Sequence, residues 1–237
     1  APPADIGPCD PILGWEADRA GILEEALVRF VEEQAERDPL FGCILIGGAS
    51  RRMGRAKHLL PLAGGTGETW LHRTVRVLQT CCQQVALAGR GEIPNDLRHM
   101  HHLPDAPGVN GPLAGILSAM RWAPGASWLV AACDLPFLSP EAVSWVLEQR
   151  SAGVWALLPR VSESAPVEPL LAWYGFRCRE IIEALAAAAR PALRDVAKHP
   201  KCRAIVVPSL LARAWQDVDT PESAACCNAD NLRNTRP

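Results

Sequence analysis

The sequence has no surplus of positive charge. Its 24 lysines and arginines are outnumbered by 26 aspartates and glutamates, for a net charge of −2. A surface that neutralises a run of nucleic-acid phosphates needs such a surplus, so nucleic acid is not an expected partner. No apolar run approaches the ~18 residues of a membrane-spanning helix, so none is expected to cross a bilayer. Residues 1–39 lack the basic start and apolar centre of a secretory leader. The chain begins with Ala1 rather than Met, and the natural start is expected upstream. Nine cysteines form no C-x-x-C pair in a chain too long to need disulfides. Reduced thiols and a cytoplasmic location are the expectation. His99, His101 and His102 sit in a polar stretch with no partner at zinc-ligand spacing, which reads as a surface loop. There is no internal repeat.

The chain is organised around residues 43–57, C-I-L-I-G-G-A-S-R-R-M-G-R-A-K. Four apolar residues ending in paired glycines fit a strand buried on both faces of a parallel sheet. Gly47 and Gly48 allow a tight turn, whose N–H groups can face an anion. Arg51, Arg52, Arg55 and Lys57 then cluster positive charge. Together these point to a triphosphate site, although a tight turn with solvated basic residues has the same composition. Two common phosphate loops are excluded. Gly47, Gly48 and Gly54 match neither G-x-x-x-x-G-K-[ST] nor G-x-G-x-x-G.

Strands are expected at 85–88, 128–133, 154–158, 170–174 and 204–207. Helices are expected at 69–82, 113–122, 179–189 and 191–198, with 95–111 as a loop. Ser139 suits a helix cap, Pro140 a first helical position and Glu141 the positive end of that helix. Thr220 and Pro221 suit the start of a C-terminal helix. This alternation predicts an α/β fold, a Rossmann-like three-layer sandwich with a mostly parallel sheet and helices on both faces. Residues 41–237 are read as that domain and residues 1–40 as an extension. Within the extension, 18–37 has an apolar stripe at helical spacing (Ile22, Leu23, Ala26, Leu27, Phe30, Val31). The stripe fits packing on the chain's own core, docking to a partner, or the tail of a fused upstream domain.

Ligands of open α/β sheets bind beyond the carboxyl ends of strands. Asp134 directly follows an apolar strand, and Asp217 and Asp219 follow the last one. An acid held there suits magnesium, which takes one or two carboxylates plus phosphate oxygens. A turn or cap acid is the plainer role for each.

The glycine stretch resembles the L-x-G-G-x-S-x-R-M-G-x-x-K signature of nucleotidyltransferases with a glycosyltransferase-A-like, nucleotide-diphospho-sugar transferase fold. The match runs through Leu45, Gly47, Gly48, Ser50, Arg52, Met53, Gly54 and Lys57. G-P-L-A-G at 111–115, C-D-L-P at 133–136, E-P-L-L-A-W-Y at 168–174 and D-V-D-T-P-E at 217–222 look like later motifs of molybdenum cofactor guanylyltransferase. That family transfers GMP from GTP to the phosphate of molybdopterin with magnesium, releasing pyrophosphate. The resemblance implies that Leu45, Ile46, Gly47, Gly48, Ser50, Lys57, Asp105 and Gly111 meet the nucleotide. It implies Arg52, Lys57 and Asp134 as catalytic residues, and Asp134 with Asp219 as metal ligands. Three positions depart from the usual pattern: Ile46 for Ala, Ala56 for Asp, and Ala88–Gly89 where relatives often carry Asn. The last motif is shared with cytidylyltransferases. A cytidylyl- or sugar-phosphate nucleotidylyltransferase of the same fold, or a nucleotide-binding regulator that has lost catalysis, are the other readings.

Overall fold

A computed structural model describes residues 21–26, 38–47, 56–62, 67–188 and 191–218. Its centre is β1 (Leu40–Leu45), paired in parallel with β2 (Gln84–Ala88) on one side and β4 (Ser127–Ala132) on the other. Successive side chains of β1 enter opposite layers. Ile44 packs with Leu71, Val75 and Leu78 of α1 (Trp70–Gln79), and Val143 and Val146 of α3 (Pro140–Glu148). Cys43 packs with Ile116, Leu117 and Met120 of α2 (Pro112–Trp122), and Ile182 of α4 (Arg179–Ala186). A strand covered on both faces can hold an uninterrupted apolar run, which is why the pattern in 43–46 does not alternate. The result is the expected three-layer sandwich.

The sheet has seven strands in the order β3-β2-β1-β4-β6-β5-β7, with β3 His101–Leu103, β5 Ala156–Arg160, β6 Leu171–Tyr174 and β7 Cys202–Val206. It is mostly parallel; β6 alone runs against its neighbours β4 and β5. The link 161–170 between β5 and β6 contains no helix, and a parallel return needs a crossover of a dozen residues or more. Tyr174 Oη donates to the Pro169 carbonyl (2.8 Å) and Trp215 Nε1 to the Leu171 carbonyl (3.1 Å), tying down both ends of this reversed strand.

The helix cap at Ser139 forms as expected: its side chain accepts from the Ala142 N–H at 3.3 Å, with Pro140 in the first turn. At α1, Thr69 and His72 form a reciprocal capping box, with His72 where an acid or amide is more usual. Three expectations need correction. Residues 95–111 are not all loop, because 101–103 form the edge strand β3. Residues 191–198 contain a 3-10 helix, Leu193–Lys198, rather than an α-helix. Finally, Asp217 does not directly follow β7, since the 3-10 turn Ala212–Trp215 intervenes. Residues 21–26 are helical, with Ile22 and Leu23 exposed. The rest of the expected helix 18–37 and the C-terminal helix start at Thr220 lie outside the described residues. Among the described residues no helix is long and apolar enough to cross a membrane.

Candidate active site

Four neighbouring strands, β3, β2, β1 and β4, run the same way, so their carboxyl ends share one rim. Along it, in spatial order, stand Asp105 beyond β3, Arg90 beyond β2, Gly47 beyond β1 and Asp134 beyond β4. These residues line a cleft of about 730 Å³. Leu45, Ile46, Lys57 and Gly111 line it too, so the structure gathers seven of the residues chosen from sequence. The others, Gly48, Ser50, Arg52 and Asp219, lie outside the described residues.

The backbone holds the floor of the cleft. The Ile46 N–H donates to the Ala88 carbonyl (2.8 Å), extending the β1–β2 pairing past the strand end. Gly47 then turns at φ 139°, a conformation that favours glycine. On the far wall Gly111 precedes α2, whose first turn carries Pro112, so a helix N-terminus and its partial positive charge border the cleft. The Ala106 N–H donates to the Ala114 carbonyl (3.2 Å), anchoring the loop that carries Asp105 to this helix.

Lys57 opens the 3-10 turn Lys57–Leu59, and its Nζ lies 3.2 Å from Asp134 Oδ2. The two side chains are 15% and 26% exposed, so both charges are largely withdrawn from water yet open to the cleft. The structure therefore pairs with each other the two residues that the sequence reading had given to phosphate and metal. Asp134 is held from behind: the Val218 N–H donates to its carbonyl at 3.3 Å. Val218 is buried with Leu60 and Trp70 beneath the Lys57 turn. The stretch 217–218 thus reaches Asp134 across the fold, with Asp217 exposed. Cys133, adjacent to Asp134, is buried, and burial pushes its thiol up to about 12. The Asp134 charge adds to that rise, while the Gly47 N–H and Lys57 oppose it. A thiol held protonated in this way lines the cleft without serving as a nucleophile.

Two lining residues, His58 and Arg90, had no signal in the sequence. His58 is buried and its Nε2 donates to the Glu92 carbonyl (2.7 Å), closing the chain over the end of β2. Arg90 lies with Nε 3.4 Å from Asp105 Oδ2. No spacing rule links residues on different strands, and only the sheet order makes them neighbours. Of the sequence's three histidines near residue 100, His101 packs against the Trp122 ring and His102 Nε2 donates to the Gly89 carbonyl (2.7 Å). His99 Nδ1 donates to the Asp96 carbonyl.

The donor set fits magnesium. Asp134 offers a hard carboxylate oxygen at the cleft wall, and that ion takes one or two carboxylates with phosphate oxygens. Among the described residues there is no group of three or more His, Cys, Asp or Glu arranged to hold a metal. A site on Asp134 would therefore draw its other ligands from beyond the described residues or from the substrate.

Further from the cleft, Glu168 is half-buried near Leu170. Burial raises its carboxyl above the usual range; Arg194, at 3.6 Å, opposes the rise and the Asp217 charge adds to it.

Comparison with known proteins bears on this geometry. A probable molybdenum cofactor guanylyltransferase from Pelotomaculum thermopropionicum is 38% identical over 143 residues, covering 60% of this chain and 66% of the relative. Molybdopterin-guanine dinucleotide biosynthesis protein A from Archaeoglobus fulgidus shares the fold with a TM-score of 0.64 at 20% identity, over 81% of this chain and 99% of that one. The fold also extends to 2-C-methyl-D-erythritol 4-phosphate cytidylyltransferase from Thermus thermophilus, with a TM-score of 0.54 at 17% identity over 80% and 98% of the two chains. The model of the MobA-like NTP transferase domain matches residues 42–204, which include every strand end that builds the cleft. The chain belongs to the family of MobA-like NTP transferases, which are nucleotidyltransferases.

Proposed function

We propose that this enzyme transfers GMP from GTP to the phosphate of molybdopterin and releases pyrophosphate. The observation that carries this reading is the Lys57–Asp134 pair beside the Gly47 turn, a cation and a carboxylate that open together onto one cleft. The named relatives support the choice of nucleotide and acceptor.

The reaction is an in-line substitution at the α-phosphorus, in which positioning and charge neutralisation carry most of the rate. Backbone N–H groups at Gly47 and the α2 N-terminus orient the triphosphate. Lys57 is a point charge placed to neutralise the pyrophosphate as it leaves. Arg52 adds a planar fork suited to bidentate phosphate binding. Asp134, with Asp219, would hold magnesium. That ion, when bound, supplies Lewis-acid stabilisation of phosphate oxygens. The acceptor phosphate is already an anion, so no side chain is needed as a general base. On this reading the enzyme works in the cytoplasm, where GTP is supplied. Residues 41–237 are the catalytic domain, and 1–40 are an extension open to a partner or a fused upstream domain.

The test is pyrophosphate release with molybdopterin present, comparing GTP with CTP and sugar phosphates as acceptors. Release that requires GTP and molybdopterin together is the expected result. Preference for CTP would move the enzyme to the cytidylyl branch. Tight GTP binding by folded protein without any release would make it a regulator.

A further inference from the structure

The turn 80–83 carries α1 into β2 at the rim opposite the cleft, and the function just proposed makes no use of it. It holds two successive cysteines. We propose that Cys81 and Cys82 form a site of reversible oxidation by hydroperoxides, in which Cys81 reacts first and Cys82 closes on it as a disulfide. This site stands apart from the guanylyl reading.

The turn makes the pair. Successive side chains of a strand point to opposite faces, which would separate the two sulfurs. Here the N–H groups of Cys81 and Cys82 both donate to the Leu78 carbonyl, at 3.2 and 2.9 Å. The Gln83 N–H then donates to the Leu40 carbonyl (2.9 Å), fixing the turn against the start of β1. In this conformation the two Sγ atoms lie 3.7 Å apart. Cys82 is buried in the layer that holds Leu78 and Val85, while Cys81 packs on that layer and stays partly exposed.

The two sulfurs have different tasks. Thiolate is the reactive form, and it needs access. Cys82, as hydrogen-bond donor, draws the Cys81 thiol below its usual range. The Thr80 side chain and the Arg150 charge act the same way, against burial. Arg150 is itself fixed, its Nε donating to the Leu147 carbonyl at the end of α3 (3.0 Å). The bond to Cys81, together with burial, raises Cys82, which stays a thiol. In its own thiol form Cys81 donates to the Leu78 carbonyl (3.4 Å). Among the described residues the other cysteines are all buried. Burial pushes Cys43 and Cys133 up to about 12. Cys178 and Cys202 are bonded to each other, but both are closed to solvent.

The chemistry balances with one molecule of hydrogen peroxide. The Cys81 thiolate attacks a peroxide oxygen; an S–O bond forms and the O–O bond breaks. Peroxide is reduced, and its second oxygen leaves as hydroxide and takes up the proton first lost from Cys81. Cys81 is oxidised to the sulfenic acid. The Cys82 sulfur then attacks Cys81; an S–S bond forms, the S–O bond breaks, and hydroxide departs with the Cys82 proton as water. Consecutive Cα atoms are about 3.8 Å apart, short of the roughly 4.4 Å where ordinary disulfides begin. The ring is therefore strained, and strained disulfides are readily reduced. Closure also spares Cys81 the further, irreversible step to sulfinic acid.

The test is mass spectrometry of the full chain after hydrogen peroxide, with free thiols alkylated before tryptic digestion. The fragment Val77–Arg90 holds both cysteines and no others. In the wild type it is expected to lose two hydrogens and both alkylation sites, and to regain both sites after dithiothreitol. In Cys82→Ser the same dose should carry Cys81 on to the sulfinic acid, a gain of two oxygens that dithiothreitol does not remove. In Cys81→Ser the fragment should stay unoxidised, since the remaining thiol is buried. The wild-type result stands even if a variant folds poorly. A wild-type fragment that keeps both thiols while other cysteines of the chain are oxidised would overturn the inference. So would direct passage of wild-type Cys81 to the sulfinic acid, or a bridge from Cys81 to a cysteine elsewhere.

Discussion

The two halves of the sheet use the same rim differently. In β3-β2-β1-β4 every strand ends there, and each end hands its chain to a stretch that carries a charged side chain lining the cleft. In β6-β5-β7 the reversed strand β6 begins at the rim, so Leu170 enters the cleft as an apolar wall residue. The charges of this second half are engaged with one another, Arg160 with Glu163 and Arg194 with Glu168. In the first half Lys57, Asp134, Arg90 and Asp105 are also paired, but across elements and facing one cavity. Parallel order is thus what turns ordinary ion pairs into a site: it brings strand ends from residues 45 to 134 into one row.

The largest test of this contrast is Asp134→Ala. Losing the carboxylate removes the partner of Lys57 and, on the proposed function, an oxygen ligand for magnesium. Turnover at saturating GTP should fall about 10²-fold or more with the fold intact by circular dichroism. Turnover near that of the wild type would remove Asp134 from the chemistry.

Lys57→Ala should cost somewhat less, about tenfold or more, since one cation of several is lost from the leaving pyrophosphate. The loss is expected in kcat rather than in KM, and steady-state kinetics separate the two. A rise in KM alone would make Lys57 a binding residue whose contact is the same in the ground and transition states.

A stability test of the rim comes from Gly89→Ala. The new methyl group meets the Ile46 carbonyl at 2.0 Å in a backbone conformation that favours glycine. Strain of this kind costs about 1–3 kcal/mol. For a chain of this size each kcal/mol lowers the melting temperature by about 2–4 °C. Calorimetric melting checks it, and an unchanged Tm would mean that the turn relaxes freely.

The smallest effect is expected in the second half. Burial raises the carboxyl of Glu168, so the folded state favours its protonated form. The charged form is a cost to folding above the raised pKa, and that cost disappears as pH falls through it. Glu168→Gln should therefore melt slightly higher than the wild type at pH 7, with the difference vanishing on acidification. A variant that melts lower at pH 7 would mean that the Arg194 pair outweighs burial.

Much of this was legible in the residues alone. The unbroken run in 43–46 announced a strand covered on both faces, since only such a strand needs no polar alternation. Ser139 followed by Pro140 announced a helix start, because cap chemistry is local. Asp134 after an apolar strand, and Lys57 in its glycine-rich motif, singled out two side chains that the structure places on one cleft. The fold class followed from alternating strands and helices, and the family from the motifs.

Other features were decided only when the chain packed. β3 was missed because a short edge strand needs little burial: of its residues only Leu103 is buried, and His101 and His102 read as loop. The reversal of β6 depends on a link too short for a crossover, which apolar patterning does not report. The meeting of Val218 with Asp134, of Lys57 with Asp134 and of Arg90 with Asp105 has no local signal at all. Residue type and spacing determine what is buried and where an element starts. Strand order determines which charges become neighbours, because parallel pairing gathers at one rim side chains that the sequence keeps far apart.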